Sequence, residues 1–118
     1  MSGGRPEGAP VPRFLVIGEY SAEGARGLMA AGGSARRTAV EKMVAALGGR
    51  LESFDFAFGG DDVYVIVDMP DNESAAAVAL TVSGSGAVHA RTIVLLAPDQ
   101  LDRAAQLRPD YTPPGQTG

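Results

Sequence analysis

Four short runs of β-branched and other apolar residues constrain the fold of this chain more than any other feature. They cover residues 14–17, 51–58, 63–67 and 88–96, and glycine, proline or aspartate bounds most of them. Runs of this length and composition are typical of β-strands. The second and third runs are joined by residues 59–62, Gly-Gly-Asp-Asp, a composition that favours a hairpin turn. We therefore predict four strands, the middle two of which form a hairpin.

A helical region is predicted between the first two strands. Ser21 can cap its first turn, because a serine hydroxyl accepts a hydrogen bond from a backbone N–H at a helix start. Several glycines weaken this helix, so we expect a break near Gly32 and Gly33 and a restart capped by Ser34. The apolar residues that follow recur at helical spacing. They are Val40, Met43, Val44 and Leu47.

A second helix is predicted between the last two strands, with Asp71 as its N-cap. Its apolar stripe consists of Ala75, Val78, Ala79 and Val82, and a short third helix is expected over residues 99–107. The resulting order is β-α-β-β-α-β. With right-handed crossovers it predicts an α+β ferredoxin-like fold, in which a four-stranded antiparallel sheet carries both helices on one face.

The chain of 118 residues fits a single domain, and 45% hydrophobic residues allow a real core. Residues 1–12 and 108–118 are rich in glycine and proline. We expect these two segments to be flexible tails, which leaves a domain at residues 13–107.

The charge and residue content exclude several classes of function. The net charge is −4, and the chain has no large cluster of Lys and Arg, so binding to nucleic acid or to anionic membranes is not expected. The absence of cysteine removes disulfides and thiolate metal sites, and no metal or cofactor is predicted. No signal peptide or membrane-spanning run is visible, so a cytoplasmic location is expected.

The predicted sheet is apolar on both faces. Phe14 and Val16 point to one side of the first strand, while Leu15 and Ile17 point to the other. The third and fourth strands show the same pattern, and in the second the even positions from Phe54 are aromatic. A sheet covered by helices on one side alone would alternate apolar and polar residues. We therefore expect a homo-oligomer, a dimer or a multiple of dimers, and a bound apolar ligand is the rival explanation.

Segments spread over most of the predicted domain together resemble the GYD domain family, small bacterial proteins of largely unassigned function. The resemblance implies a ferredoxin-like fold of the dimeric α/β-barrel type, and it implies no activity. The segments that carry it are residues 13–20, 22–24, 36–37, 47–52, 58–59, 69–73 and 85–86, with the strand that contains Thr92.

This chain departs from the family pattern at its signature. The Gly-Tyr-Asp triplet that names the family corresponds to Gly60, Asp61 and Asp62, so the tyrosine is replaced. His89 stands where relatives often carry a basic residue, and Arg91 stands where they often carry an acidic one.

Four residues are candidates for catalysis. His89 is the only histidine, and an imidazole titrates near neutral pH. Arg91 shares a strand face with His89 and could anchor an anion, while Tyr20 or Tyr64 could donate a hydrogen bond. The competing interpretation makes His89 and Arg91 rim residues of a dimer interface, and makes the tyrosines packing residues.

Four further residues are candidates for ligand binding. Arg36 and Arg37 could hold an anion near a helix start, and Phe54 and Phe56 could contact a ligand through the sheet. The competing interpretations are a solvated helix face for the arginines and core or interface packing for the aromatic rings.

The functional hypothesis is an oligomeric module that binds a small ligand or a protein partner through its sheet face. The alternative is a cofactor-free enzyme, such as a monooxygenase, isomerase or cyclase, with a cavity near His89. A regulatory effector-binding domain ranks third. Whether the protein is an enzyme stays open, because no motif specifies a reaction.

Overall fold

A computed structural model of the chain describes residues 11–116, so most of the predicted N-terminal tail lies outside the described residues. Among residues 11–116, no helix combines the length and the apolar character that crossing a membrane requires. The elements are β1 (Arg13–Tyr20), α1 (Ala22–Ala31), α2 (Gly33–Ala46), β2 (Arg50–Phe56), β3 (Val63–Asp68), α3 (Asn72–Gly84), β4 (Val88–Leu95) and α4 (Pro98–Ala105).

The four strands form one sheet in the order β2-β3-β1-β4, and every neighbouring pair is antiparallel. This order places β1 between β3 and β4, as two crossovers around a central hairpin require. The predicted ferredoxin-like α+β fold is confirmed. β2 and β4 are the edge strands.

The hydrophobic core lies between one face of the sheet and helices α2 and α3. Val44 of α2, Val67 of β3 and Met69 just after β3 are almost completely buried. We call the sheet face that contributes to this core the covered face, and the opposite side the open face. The buried core residues are Phe14, Val40, Val44, Leu51, Val63, Val65, Val67, Met69, Ala75 and Val78.

Two of the three predicted helix caps are confirmed. The Ser21 hydroxyl accepts a hydrogen bond from the Gly24 amide at 3.0 Å, and the Asp71 carboxylate accepts one from the Ser74 amide at 2.8 Å. The predicted cap at Ser34 is wrong, because α2 already begins at Gly33 with Gly32 as its N-cap. Gly32 has φ +90°, a conformation that side chains disfavour, and it lets the chain turn sharply between the two helices.

Strand β2 differs from the prediction in length and in register. It ends at Phe56, and Phe58 lies beyond it, fully exposed. A β-bulge between Leu51 and Ser53 adds one residue to the strand. The bulge places Leu51 on the covered face together with Phe54, although simple alternation assigned these two residues to opposite faces.

The C-terminal segment leaves the sheet at the end of β4. Helix α4 forms no extensive contact with another element, and no residue of it is buried. Leu101, Leu107 and Tyr111 are exposed. We call residues 96–116 the C-terminal arm.

Candidate functional site

The open face has an apolar centre. In β1, Phe14 belongs to the core and Val16 packs against it, so Leu15 and Ile17 point away from the helices. Ile93 is the most exposed of these central side chains, at 43%. The strand registers place the following apolar residues together: Leu15, Ile17, Tyr64, Ile66, Ile93 and Leu95.

One end of the open face is shaped by the turn between β2 and β3. The Asp62 amide donates to the Gly18 carbonyl at 2.9 Å, and the Asp62 carboxylate accepts from the Tyr20 amide at 2.8 Å. These two hydrogen bonds attach the turn to β1. They bring Asp61 to Arg91 of β4, with a side-chain distance of 2.9 Å.

A cavity of about 450 Å³ opens at this end, and we call it the His89 pocket. Its volume lies in the range typical of small-molecule sites. His89 is exposed and faces Glu19 across the β1–β4 pair. The pocket is lined by Ile17, Glu19, Gly60, Asp61, His89 and Arg91.

The other end of the open face carries a network of four charged side chains. The Nε atom of Arg13 lies 2.7 Å from Oε2 of Glu52 and 3.7 Å from Oδ1 of Asp68. The Nη2 atom of Arg50 lies 3.1 Å from Oδ2 of Asp68. The hydrogen bond from Arg13 lowers the pKa of Glu52. Burial raises the pKa of Asp68, because the charged form loses hydration there. The two ends therefore carry side chains of both signs around an apolar centre.

The structure brings three of the four catalytic candidates to one face. His89, Arg91 and Tyr64 all lie on the open face, since Ile17 pairs with both Arg91 and Tyr64. Tyr20 lies on the covered face, where it pairs with Val88 and packs against the core. The sheet therefore separates the Tyr20 side chain from His89, and of the two tyrosines offered as donors only Tyr64 lies on the same face as His89.

The ligand-binding candidates are also divided. Arg37 lies on the surface of α2, 3.4 Å from Glu41, whereas Arg36 lines a cavity between α1 and α2. Phe54 and Phe56 contact each other edge to face, with ring centroids 5.2 Å apart. Phe54 packs against the core, and Phe56 lines a separate cavity of about 390 Å³ beside α1. Neither ring belongs to the open face.

Glu19 and Asp61 are pocket residues that the sequence prediction missed. Glu19 could have been found from alternation, because it follows Ile17 at the spacing that keeps side chains on one strand face. Asp61 was attributed to turn chemistry alone. Its pairing with Arg91 depends on contact between segments that are 30 residues apart, and no local pattern reports such a contact. Within residues 11–116, no group of three or more His, Asp or Glu residues is placed to hold a metal ion.

Asp62 attaches the turn to β1 through a hydrogen bond, and Asp61 forms the ion pair with Arg91. The family model of the GYD domain matches residues 14–105. A search of curated proteins finds no match. A search of solved structures finds none either. Because the match covers most of its length, the chain belongs to the GYD domain family.

Proposed function

We propose that this protein works as a homodimer in which two open faces pack together and close a small-molecule site at the His89 pocket. The observation that carries this proposal is the apolar centre of the open face, where every side chain except Ile17 stays partly exposed to solvent. Leu15, Ile66 and Leu95 are half-buried, and Ile93 is 43% exposed. Burying apolar surface stabilises an association by about 25 cal/mol per Å².

The distribution of charge favours a second copy as the covering partner. Each end of the open face holds both signs, with Arg13 and Glu52 at one end and Arg91 and Asp61 at the other. A two-fold interface brings the same surface against itself, so a single-signed surface would repel its copy. A mixed surface avoids this repulsion and can form pairs across the interface.

The C-terminal arm supports the same arrangement. It continues directly from β4, which is the edge strand that carries Ile93 and Leu95. Leu96, Leu101 and Leu107 are 57%, 61% and 79% exposed. In an isolated subunit these three leucine side chains stay in contact with water. A neighbouring subunit beside β4 would bury them.

The side chains of the His89 pocket indicate the kind of ligand. The charge of Arg91 is already compensated by Asp61 at 2.9 Å, and Glu19 adds a second carboxylate. A strongly anionic ligand is therefore disfavoured. The pocket suits a ligand with neutral hydrogen-bonding groups that reach His89 or Arg91, because most of its lining residues carry polar side chains.

Cofactor-free catalysis is the second candidate function, and the His89 pocket is the observation that favours it. An imidazole opposite a carboxylate can accept and return a proton near neutral pH. His89 would act as the acid–base group, with Glu19 opposite it on β1. Tyr64 lies on the same face as a hydrogen-bond donor.

Sedimentation velocity tests the dimer. We expect the wild-type chain to sediment as two subunits and Ile93→Glu to sediment as one, because the new carboxylate would be buried in the interface. Leu80→Glu is the matched control, since Leu80 is exposed on α3 and away from the open face. A single wild-type subunit at high concentration, or dissociation caused by Leu80→Glu alone, would refute the proposed interface.

Native mass spectrometry of the protein purified from its host tests the ligand and separates the two functions. A binding module should carry the same added mass in the wild type and in His89→Asn, at equal or lower occupancy in the variant. An enzyme should carry compounds that differ between the two proteins in mass or, for an isomerase, in fragmentation pattern, because the variant keeps the substrate that the wild type converts. A wild-type dimer without added mass, together with no ligand-dependent protection of the His89 pocket in hydrogen exchange, would refute the ligand site.

A further inference from the structure

We propose that a second binding site lies between α1 and α2 and takes a small monocarboxylate with an apolar body, with Arg36 as the anchor of the carboxylate. We call this cavity the Arg36 cavity. It lies on the covered side of the sheet, because Tyr20 and Val88 form part of its floor. The sheet separates it from the open face, so it does not depend on the dimer or on the His89 pocket.

The Arg36 cavity has the size and the lining of a small-molecule site. Its volume is about 370 Å³, within the range typical of ligand pockets. Its walls are mainly apolar and include Tyr20, Leu28, Ala35 and Val88. The polar side chains among its lining residues belong to Glu23, Arg36 and Tyr20. This combination suits a ligand that is apolar over most of its surface.

Arg36 carries one of the two buried side-chain atoms of residues 11–116 that lack a hydrogen-bond partner, the other being Asp68 Oδ1. The Nε of Arg36 is buried without a hydrogen bond, and its side chain forms no ion pair within the described part of the chain. Buried polar groups are rarely left unpaired, and a ligand or water is the usual explanation. The contrast with other arginines is clear, because five of them lie next to carboxylates. These are Arg13, Arg37, Arg50, Arg91 and Arg103.

Helix α1 covers the cavity without filling it. No residue of α1 is buried. At its start the helix is held close to β4, because the Ser21 amide donates to the Ala87 carbonyl at 2.9 Å and a Cβ on Gly24 would lie 2.1 Å from the same oxygen. One turn later the contact is lost, and a Cβ on Gly27 would meet no atom within 4 Å. The space under the middle of α1 is therefore open.

The carboxylate of Glu23 favours a singly charged anion over a doubly charged one. It lines the same cavity as Arg36, so the two formal charges of the site cancel before a ligand binds. A dianion such as phosphate would find one guanidinium and one opposing carboxylate. A monocarboxylate needs only the planar pair of N–H donors that arginine offers. Its apolar body can then occupy the space below Leu28.

Amide NMR titration of the full chain with octanoate tests the proposal. We expect octanoate to shift the amide signals of Gly24, Gly27 and Gly32, while 1-octanol and inorganic phosphate leave them in place. Arg36→Met should weaken octanoate binding about tenfold or more, because a hydrogen-bonded charge is lost. Arg37→Met is the matched control and should bind like the wild type, since Arg37 pairs with Glu41 outside the cavity.

A second variant fills the space and keeps the charge. Gly27→Leu should abolish octanoate binding without lowering the melting temperature, since leucine favours a helix more than glycine does. The proposal is overturned if octanoate causes no amide shifts, or if 1-octanol or phosphate shifts the same signals. It is also overturned if Arg36→Met binds octanoate as tightly as the wild type does. The monomeric variant Ile93→Glu should bind octanoate normally, so a failure of the dimer proposal is distinguishable from a failure of this one.

Discussion

The two faces of the sheet are built from similar apolar residues, but they have different surroundings. On the covered face, Val67 and the adjacent Met69 are almost completely buried beneath α2 and α3. On the open face, Ile66 and Ile93 keep contact with water, and charged side chains surround them. The covered face is completed by helices of its own chain, whereas the open face keeps apolar side chains such as Ile93 partly exposed. Apolar composition therefore does not reveal which residues hold the subunit together.

The largest expected effect is a core deletion on the covered side. Met69→Ala should lower the free energy of unfolding by about 2–5 kcal/mol, because it leaves a cavity among tightly packed groups. The packing is close, since a Cβ on Gly49 would lie 2.5 Å from the Met69 sulfur. Guanidinium denaturation measures the effect.

Ile93→Ala is the matched open-face variant for this experiment. In dilute solution it should lower the free energy of unfolding by less than about 1 kcal/mol, because Ile93 is already 43% exposed. Equal losses in the two variants would mean that the faces do not differ as described.

The next largest effect on stability is expected in α1, where it depends on how closely the helix approaches the end of the covered face. Gly24→Ala should cost about 1–3 kcal/mol, because the added Cβ would overlap the Ala87 carbonyl oxygen and force a backbone shift. Gly27→Ala in the same helix should raise stability by up to about 1 kcal/mol, since it meets only open space. Thermal denaturation of both variants checks the pair, and a similar change in both would contradict the close approach of α1 at Gly24 and the open space at Gly27.

The smallest effect concerns pH and the charged end of the open face. Burial raises the pKa of Asp68 above its ordinary value of 3.8, so its favourable contribution to stability is present below that value and is lost as pH rises through the raised pKa. Glu52 acts in the opposite sense. Its pKa is lowered from 4.5 by Arg13, so its contribution is present above that value and is lost as pH falls through the lowered pKa.

Asp68→Asn separates these two contributions. Relative to the wild type, the variant should gain stability as pH rises from about 3 to about 7, by about 1 kcal/mol or less, because the side chains are near the surface. Urea denaturation at a series of pH values measures this difference. If the stability difference stays constant or falls as pH rises, burial does not raise the pKa of Asp68.

Local features were predicted well because neighbouring residues determine them. Ser21 and Asp71 cap helices through amides three residues away, and the helical region breaks at Gly32 because a glycine there adopts a positive φ. The order of strands and helices follows from the same kind of signal. It was enough to predict the ferredoxin-like topology.

The candidate site was predicted only in part, because it depends on register. His89 and Arg91 share a face by simple alternation, which the sequence shows. The placement of Tyr20 on the other face and the pairing of Asp61 with Arg91 depend on how β1, β4 and the turn align. These alignments join residues 30 or more positions apart.

The amino-acid sequence by itself determined the elements, their order and the apolar character of both sheet faces, because short-range propensity and alternation are properties of adjacent residues. Only the tertiary structure decided which face the helices cover, that a bulge at residue 52 moves Leu51 to the core, and that Arg36 lines a cavity with its buried Nε lacking a hydrogen-bond partner. The physical reason is that packing and strand register are settled by contacts between distant segments.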